Sequence, residues 1–306
     1  MPEPLNLTSP AVVSEILQRR GLRPNRRWGQ NFLVDGNLLA KVVDAGDLQP
    51  EEAVLEIGPG LGALTRALAG RVRQVVSVEI DPALFATLTE ETAADLPNVR
   101  ILAGDFLQVD LQATVPEHLG PGRHPVVANI PYSITSPIVV RLLEHRSLFD
   151  RLVLLVQREV ADRLTAAPNT SDYGSLTLFV NLYATARRVA LVPRRAFLPA
   201  PEVDSAIVRM DVLSEPRYPH VPPERYLAVV HAAFQQRRKN LANALTGPAL
   251  GWTREQARGA LGAAGIDPGR RGETLSPDEF AVLATQWPQE VAATSTARDE
   301  QERSED

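Results

Sequence analysis

From about residue 53 the chain alternates short apolar runs with stretches of helical periodicity. The runs cover residues 53–57, 74–79, 99–103, 125–129, 151–157, 189–192 and 206–213. Short runs separated by helical patterns predict parallel strands joined by crossover helices, an α/β sheet with both faces covered. Asp81-Pro82 and Ser136-Pro137 set a capping side chain directly before a proline suited to a first helical turn, and so mark helix starts. Residues 214–224, SEPRYPHVPPE, hold four prolines and predict a linker, because proline removes backbone donors and fixes φ. Beyond them Leu227, Val230, His231 and Phe234 recur at i, i+3, i+4 and i+7, while Thr253-x-x-Gln256 and Ser276-x-x-Glu279 match capping boxes. The expected organisation is a sheet domain over 1–213, opening with a basic segment, a small helical domain over 214–288 and a tail over 289–306.

The 306 residues, 44% hydrophobic and 23% charged, are enough for two globular domains and exclude fibrous, coiled-coil and wholly disordered classes. No apolar run approaches the ~20 residues needed to cross a bilayer, and the N-terminus lacks a basic stretch leading into an apolar one. A cytoplasmic protein with no membrane partner is expected. The chain has no cysteine, which removes disulfides, thiolate catalysis and sulfur-ligated zinc. His118, His124, His145, His220 and His231 show no metal-ligand spacing, so no metal is expected.

The net charge of −5, from 32 basic and 37 acidic residues, argues against a polyanionic partner until the charges are located. Residues 289–306 hold six acids against Arg298 and Arg303, so this stretch carries −4, the rest carries −1, and the tail is expected to be disordered. Within the body three clusters contain no acid: Arg19, Arg20, Arg23, Arg26 and Arg27; Arg187, Arg188, Arg194 and Arg195; and Arg237, Arg238 and Lys239. Each alone suits a solvated face, but the three together favour a phosphate-rich partner.

Glu56-Ile57-Gly58-Pro59-Gly60-Leu61-Gly62 ends the first run and opens a helix, which lets backbone approach a ligand at the carboxyl edge of a sheet. Gly58, Gly60 and Ala63 also fit a dinucleotide pattern, and Glu79, ending the next run, suits a ribose in either class, so a nicotinamide enzyme is the first rival. The next two edges favour another chemistry. Gly104-Asp105-Phe106 offers a carboxylate and an aromatic face to a purine. Asn129-Ile130-Pro131-Tyr132 offers an amide oxygen and carbonyls that can accept both hydrogens of an exocyclic amine, with a ring to stack on the base.

With these motifs in hand, residues 20–285 resemble the ribosomal RNA adenine dimethyltransferases, S-adenosylmethionine-dependent enzymes that dimethylate two adjacent adenosines near the 3′ end of small-subunit (16S) rRNA. The likeness rests on Gly29-Gln30-Asn31-Phe32-Leu33, on Leu55 to Thr65, on Val78-Glu79-Ile80-Asp81, on Gly104-Asp105 and on Asn129 to Pro137. It continues through Phe197-Leu198-Pro199-Ala200-Pro201-Glu202-Val203-Asp204-Ser205, Arg237-Arg238-Lys239-Asn240-Leu241 and Arg271-Gly272-Glu273-Thr274-Leu275. It departs from the family pattern at Trp28 and Glu202. The resemblance implies a Rossmann-like methyltransferase fold with a helical C-terminal domain. It implies S-adenosylmethionine contacts from Asn31, Leu33, Gly58, Gly60, Glu79, Asp105 and Asn129, a catalytic trio of Asn129, Pro131 and Tyr132, and Phe197 against the target base opposite Tyr132. Arg237 and Arg238 are expected to contact rRNA. The implied partner is the immature small ribosomal subunit, with the protein acting as a monomer. Two alternatives remain: a single-site large-subunit rRNA methyltransferase of the antibiotic-resistance type, and a mainly non-catalytic assembly factor.

Overall fold

In the computed structural model, residues 5–25 and 29–287 are described, so Arg26, Arg27, Trp28 and the acidic tail lie outside the described residues. The chain divides between His220 and Val221 into two compact units. The strands of the first unit are β1 (Phe32–Leu33), β2 (Ala53–Ile57), β3 (Gln74–Glu79), β4 (Val99–Ala103), β5 (His124–Asn129), β6 (Phe149–Gln157), β7 (Ala184–Val192), β8 (Phe197–Leu198) and β9 (Ser205–Val212). Its helices are α1 (Pro10–Arg19), α2 (Gly36–Ala45), α3 (Ala63–Ala69), α4 (Pro82–Thr87), α5 (Leu111–Leu119), α6 (Thr135–Glu144), α7 (Arg158–Leu164) and α8 (Ser175–Tyr183).

Seven strands form one sheet in the order β4-β3-β2-β5-β6-β9-β7. The five from β4 to β6 run parallel, as the alternating pattern predicts; the Val, Leu and Ile runs of β2, β3, β5 and β6 are buried on both faces, while edge strand β4 is only half-buried. β9 alone departs from that expectation, lying antiparallel to both β6 and β7, so that β7 runs in the same direction as the five. The reason is the connection: between β7 and β9 the chain has only a short 3-10 turn and β8, with no crossover helix to return it to the opposite end of the sheet. β8 instead pairs with β1, Leu33 against Phe197, and so fastens the N-terminal arm to the sheet domain.

Asp81 caps α4 with its carboxylate, accepting from the amides of Ala83 and Leu84. The other expected start is displaced: α6 begins at Thr135 with Ile134 at the cap position, because a 3-10 turn over Tyr132–Ile134 already carries the chain into the helix. The proline-rich stretch is fastened rather than free in its first half, where Arg217 donates to the carbonyls of Asn181 (2.8 Å) and Ala184 (3.2 Å) and Tyr218 is buried.

The second unit holds α9 (Pro223–Gln235), α10 (Leu241–Ala244), α11 (Arg254–Ala263) and α12 (Pro277–Thr285). Both capping boxes form, at Thr253 with Gln256 and at Ser276 with Glu279. In α9 the helical period is as expected but its phase is rotated. Tyr226, Val229, Val230 and Ala233 are buried and His231 is exposed, because Tyr226 is the large side chain that anchors the helix.

Helix α3 enters through Gly62, at φ +90°, where a Cβ would stand 2.4 Å from Leu88 and 2.5 Å from Thr92. Those two side chains lie on a single π turn, Leu88–Thr92, that continues α4. Gly62→Ala should therefore cost both backbone strain and overpacking, about 2 kcal/mol or more, and lower the melting temperature by several degrees. Gly70→Ala, at negative φ with its nearest neighbour 3.8 Å away, should leave it within about a degree in the same thermal-melt series.

Candidate functional site

In the sheet, β3 and β4 lie on one side of β2 while β5 and β6 lie on the other, so the loops leaving β2 and β5 diverge at the carboxyl edge and open a crevice there. A cavity fills this crevice. Its lining includes Gly58 and Gly60 after β2, Glu79 and Ile80 after β3, Asn129 to Tyr132 after β5, and Gly29 to Leu33 from the N-terminal arm. Leu7, ahead of α1, and Val13, within it, contribute a further apolar wall.

Backbone conformation shapes the floor. Gly58 and Gly60 have φ of +65° and +61°, a region that side-chain-bearing residues rarely adopt, and a Cβ on Gly60 would press on the Phe32 ring at 3.1 Å. The Gly60 amide donates to Glu79 Oε2 at 3.1 Å, and Glu79 Oε1 accepts from Asp81 N at 2.9 Å. Burial raises the Glu79 carboxyl above the usual carboxylate range, against those two amide hydrogen bonds.

The N-terminal arm and the β5 loop form the rim. Asn129 Nδ2 donates to the Asn31 carbonyl at 3.1 Å, which orients its amide and leaves Oδ1 as the acceptor facing the other way. Asn31 Nδ2 in turn donates to Gly29 O at 2.9 Å. Gly29, at φ +59°, lets the arm lie against the loop, since its Cβ position is 3.4 Å from Pro131 Cβ and from Tyr132 N. Gln30 ties the arm to the β3 edge, donating to Asp81 Oδ2 at 2.7 Å while accepting from Asn25 N at 2.7 Å. The Tyr132 hydroxyl meets Ser205 Oγ at 2.5 Å, and burial pushes the phenol above its usual range although that bond opposes the shift.

Asn31, Leu33, Gly58, Gly60, Glu79, Asn129, Pro131 and Tyr132 thus meet at one cavity. Other expected residues stand elsewhere. Asp105 lies outside the lining and accepts from Leu107 N at 2.9 Å, and the Phe106 ring beside it is buried in the core, so it offers no face to a purine. Phe197 is 3% exposed and packs in the core cluster with Leu33, Leu39 and Ile207, because β8 is drawn against β1; the structure does not bring its ring to the cavity. The Pro131 carbonyl is engaged by the turn, accepting from Ile134 N at 3.3 Å and Thr135 Oγ1 at 3.4 Å.

The basic clusters are free of acids in sequence but not in space. Arg19 and Arg20 pair with Glu91, and Arg20 also with Glu90 at 2.7 Å, which fastens α1 to the π turn. Arg188 pairs with Asp162, and Arg237 lies 3.8 Å from Glu273. Arg187, Arg194, Arg195, Arg238 and Lys239 are exposed. Among the described residues no cluster of metal-ligating side chains occurs, and no helix is long and apolar enough to cross a membrane.

Glu56 also lines the cavity. Glu56 is 1% exposed, and its Oε2 accepts from the hydroxyls of Thr65 and Ser77, both at 2.7 Å. Its Oε1 is buried with no hydrogen-bond partner in the chain, an acceptor left for a ligand at the cavity wall. An acid inside the otherwise apolar run Ala53 to Ile57 is the signal that marks it. Burial pushes its carboxyl up to about 7, with the Glu79 charge a lesser contribution in the same direction.

Between its ordinary value of 4.5 and about 7 the folded chain holds a proton on Glu56 that the unfolded chain releases, so stability falls as pH rises through this window. The loss approaches about 3 kcal/mol for one such group. Glu56→Gln keeps an acceptor for Thr65 and Ser77 and should flatten the fall in denaturant midpoint from pH 4.5 to 7, leaving the smaller slope of the same sign due to Glu79. An unchanged slope would place the titrating group elsewhere.

Residues 21–283 match the family described as ribosomal RNA adenine dimethylase. The chain is 44% identical over 284 residues to ribosomal RNA small subunit methyltransferase A of Moorella thermoacetica, covering 91% of this chain and 98% of that protein. The enzyme of the same name from Geobacillus thermodenitrificans is 45% identical over 282 residues, covering 91% and 96%. Among solved structures, a Plasmodium falciparum dimethyladenosine transferase superposes with TM-score 0.69 at 24% identity, covering 81% of this chain and 94% of that one. The 23S rRNA methyltransferase ErmE superposes with TM-score 0.64 at 33% identity, covering 85% and 100%. Fold, site motifs and matches over nearly the whole length agree: the chain belongs to the ribosomal RNA adenine dimethylase family, whose members are S-adenosylmethionine-dependent rRNA adenine dimethyltransferases.

Proposed function

We propose that the protein dimethylates the exocyclic amines of two adjacent adenosines near the 3′ end of 16S rRNA, acting on immature small ribosomal subunits. The single observation that carries the adenine chemistry is the clasp between Asn129 Nδ2 and the Asn31 carbonyl, which turns Asn129 Oδ1 into a fixed acceptor at the cavity rim. S-adenosylmethionine supplies an electrophilic methyl group on a sulfonium. Its ribose suits Glu79, its backbone-approaching part suits Gly58 and Gly60, and its polar end suits the unpartnered Glu56 Oε1. Asn31 and Leu33 close the same cavity, and Asp105, outside its lining, is assigned to the purine end by resemblance.

An adenine amine is a weak nucleophile because its lone pair is delocalised into the ring. Two acceptors, one for each amine hydrogen, favour the pyramidal geometry that frees the pair, so the chain acts by positioning and by accepting hydrogen bonds rather than by a nucleophile of its own. Asn129 Oδ1 is one acceptor. The carbonyl of Ile130 is the better second, since that of Pro131 is spent on the turn. Tyr132 stacks on the flipped base. Higher identity to the small-subunit relatives than to ErmE favours the small-subunit target.

Asn129→Ala should lower kcat at least ten-fold, the decade representing about 1.4 kcal/mol of lost transition-state stabilisation, while the lost bond to the Asn31 carbonyl lowers the melting temperature by no more than a few degrees. Turnover above about a tenth of wild type would remove Asn129 from the chemistry.

With several arginines already paired to acids, recognition should rest on a preformed array of phosphates rather than on long-range attraction. Reversing the charges of Arg237 and Arg238 should weaken binding to immature small subunits and flatten its salt dependence by roughly 0.7 to 0.9 per lost phosphate contact. Immature subunits should be methylated far faster than a short hairpin carrying the same adenosines; equal rates would refute recognition of an assembled surface.

A further inference from the structure

Tyr132 is held at both ends. Its backbone starts the 3-10 turn that follows Pro131 and lies against Gly29, while its hydroxyl, at the far end of the side chain, meets Ser205 Oγ at 2.5 Å. The torsion that would swing the ring out of the cavity is χ1, and moving it requires that tip bond to break. Ser205 is a firm anchor for such a bond. It is fully buried, it is the first residue of β9, and it pairs with Gln157 of β6 on one side and Val192 of β7 on the other.

The residue type is itself informative. Ser205 is followed in β9 by Ala206, Ile207 and Val208, all fully buried, and an alanine would serve packing there as well as a serine. A buried hydroxyl costs free energy unless it is hydrogen-bonded, and the bond Ser205 makes runs to a residue of the candidate site rather than to the core. The tether also links two stretches far apart in the chain, the Asn-Ile-Pro-Tyr loop after β5 and the strand that follows the Phe-x-Pro-x-Pro segment.

We infer that Ser205 is a positioning residue for methyl transfer, holding the Tyr132 ring at the angle that receives the target adenine. The inference rests on the stacking role proposed for Tyr132. It explains why the ring can be ordered before any base arrives, with Phe197 buried and unavailable as an opposing face. A tethered ring loses no rotamer freedom when the base binds, so the tether acts on the approach to the reacting geometry and not on cofactor affinity.

The test is a double-variant cycle of Ser205→Ala and Tyr132→Phe, each removing one end of the bond, assayed by transfer of labelled methyl groups to immature small subunits. Each single variant should lower kcat about five-fold, the size of one buried neutral hydrogen bond, and the double variant should be no worse than either. S-adenosylmethionine affinity by calorimetry should stay within about two-fold of wild type, which a general loosening of the fold would not allow. Multiplying losses, or wild-type kcat in either single variant, would overturn the tether. If Ser205→Ala melts below the assay temperature, Tyr132→Phe decides alone by the same criterion. Tyr132→Ala separates stacking from tethering: wild-type turnover there removes the stacking role and the tether with it, whereas a crippled Tyr132→Ala beside an unimpaired Tyr132→Phe removes the tether only.

Discussion

Reversal of strand order at β2 is the constraint on which the rest of the site depends. Once β3 and β5 lie on opposite sides of β2, the two loops that follow β2 and β5 must part at the carboxyl edge, and no side chain of the sheet itself can fill the gap between them. The glycine loop and the Asn-Ile-Pro-Tyr loop therefore flank one cavity, with the Cβ position of Gly58 3.8 Å from Pro131 Cδ. The N-terminal arm closes one side of it, because β1 pairs with β8 and because Gln30 and the Asn31 carbonyl reach the β3 and β5 edges. Cofactor side and base side thus share a wall made of one short segment, Gly29 to Leu33.

Two buried acids at this edge set its electrostatics. Glu56 and Glu79 sit near the ends of adjacent strands, both with carboxyls raised by burial; Glu79 accepts from loop amides at Gly60 and Asp81, and Glu56 from hydroxyls on α3 and β3. A cavity with two partly desolvated carboxyls suits a ligand bearing positive charge, as a sulfonium with an α-ammonium does. The stability forgone by burying them is the cost of holding acceptors ready in a dry site.

Much of the fold and part of the site were legible in the sequence because they are local. The five parallel strands follow from runs of apolar residues, the Asp81 cap and both capping boxes from side chain and spacing, and the glycines from the backbone angles that only they adopt readily. What was not legible depends on which elements meet. The antiparallel β9 follows from the absence of a crossover helix, the burial of Phe197 from a two-residue pairing, and the neutralisation of Arg19 and Arg20 from a π turn some 70 residues later in the chain. The phase of α9 is not legible from the spacing of Leu227, Val230, His231 and Phe234, because Tyr226 and Val229 bury the adjacent face. Ser205 closes the Phe197 to Ser205 segment, but its task there is not readable from the strand pattern; the hydroxyl lying against Tyr132 is what identifies it.

The most direct measurement is a crystal structure with S-adenosylhomocysteine and a short RNA presenting an unpaired adenosine. The account predicts the ribose hydroxyls on Glu79, the adenine amine within about 3 Å of Asn129 Oδ1 and the base face on Tyr132. An adenine bound away from Asn129, or a ribose that leaves the Gly60 to Glu79 hydrogen bond with no part in its recognition, would contradict it.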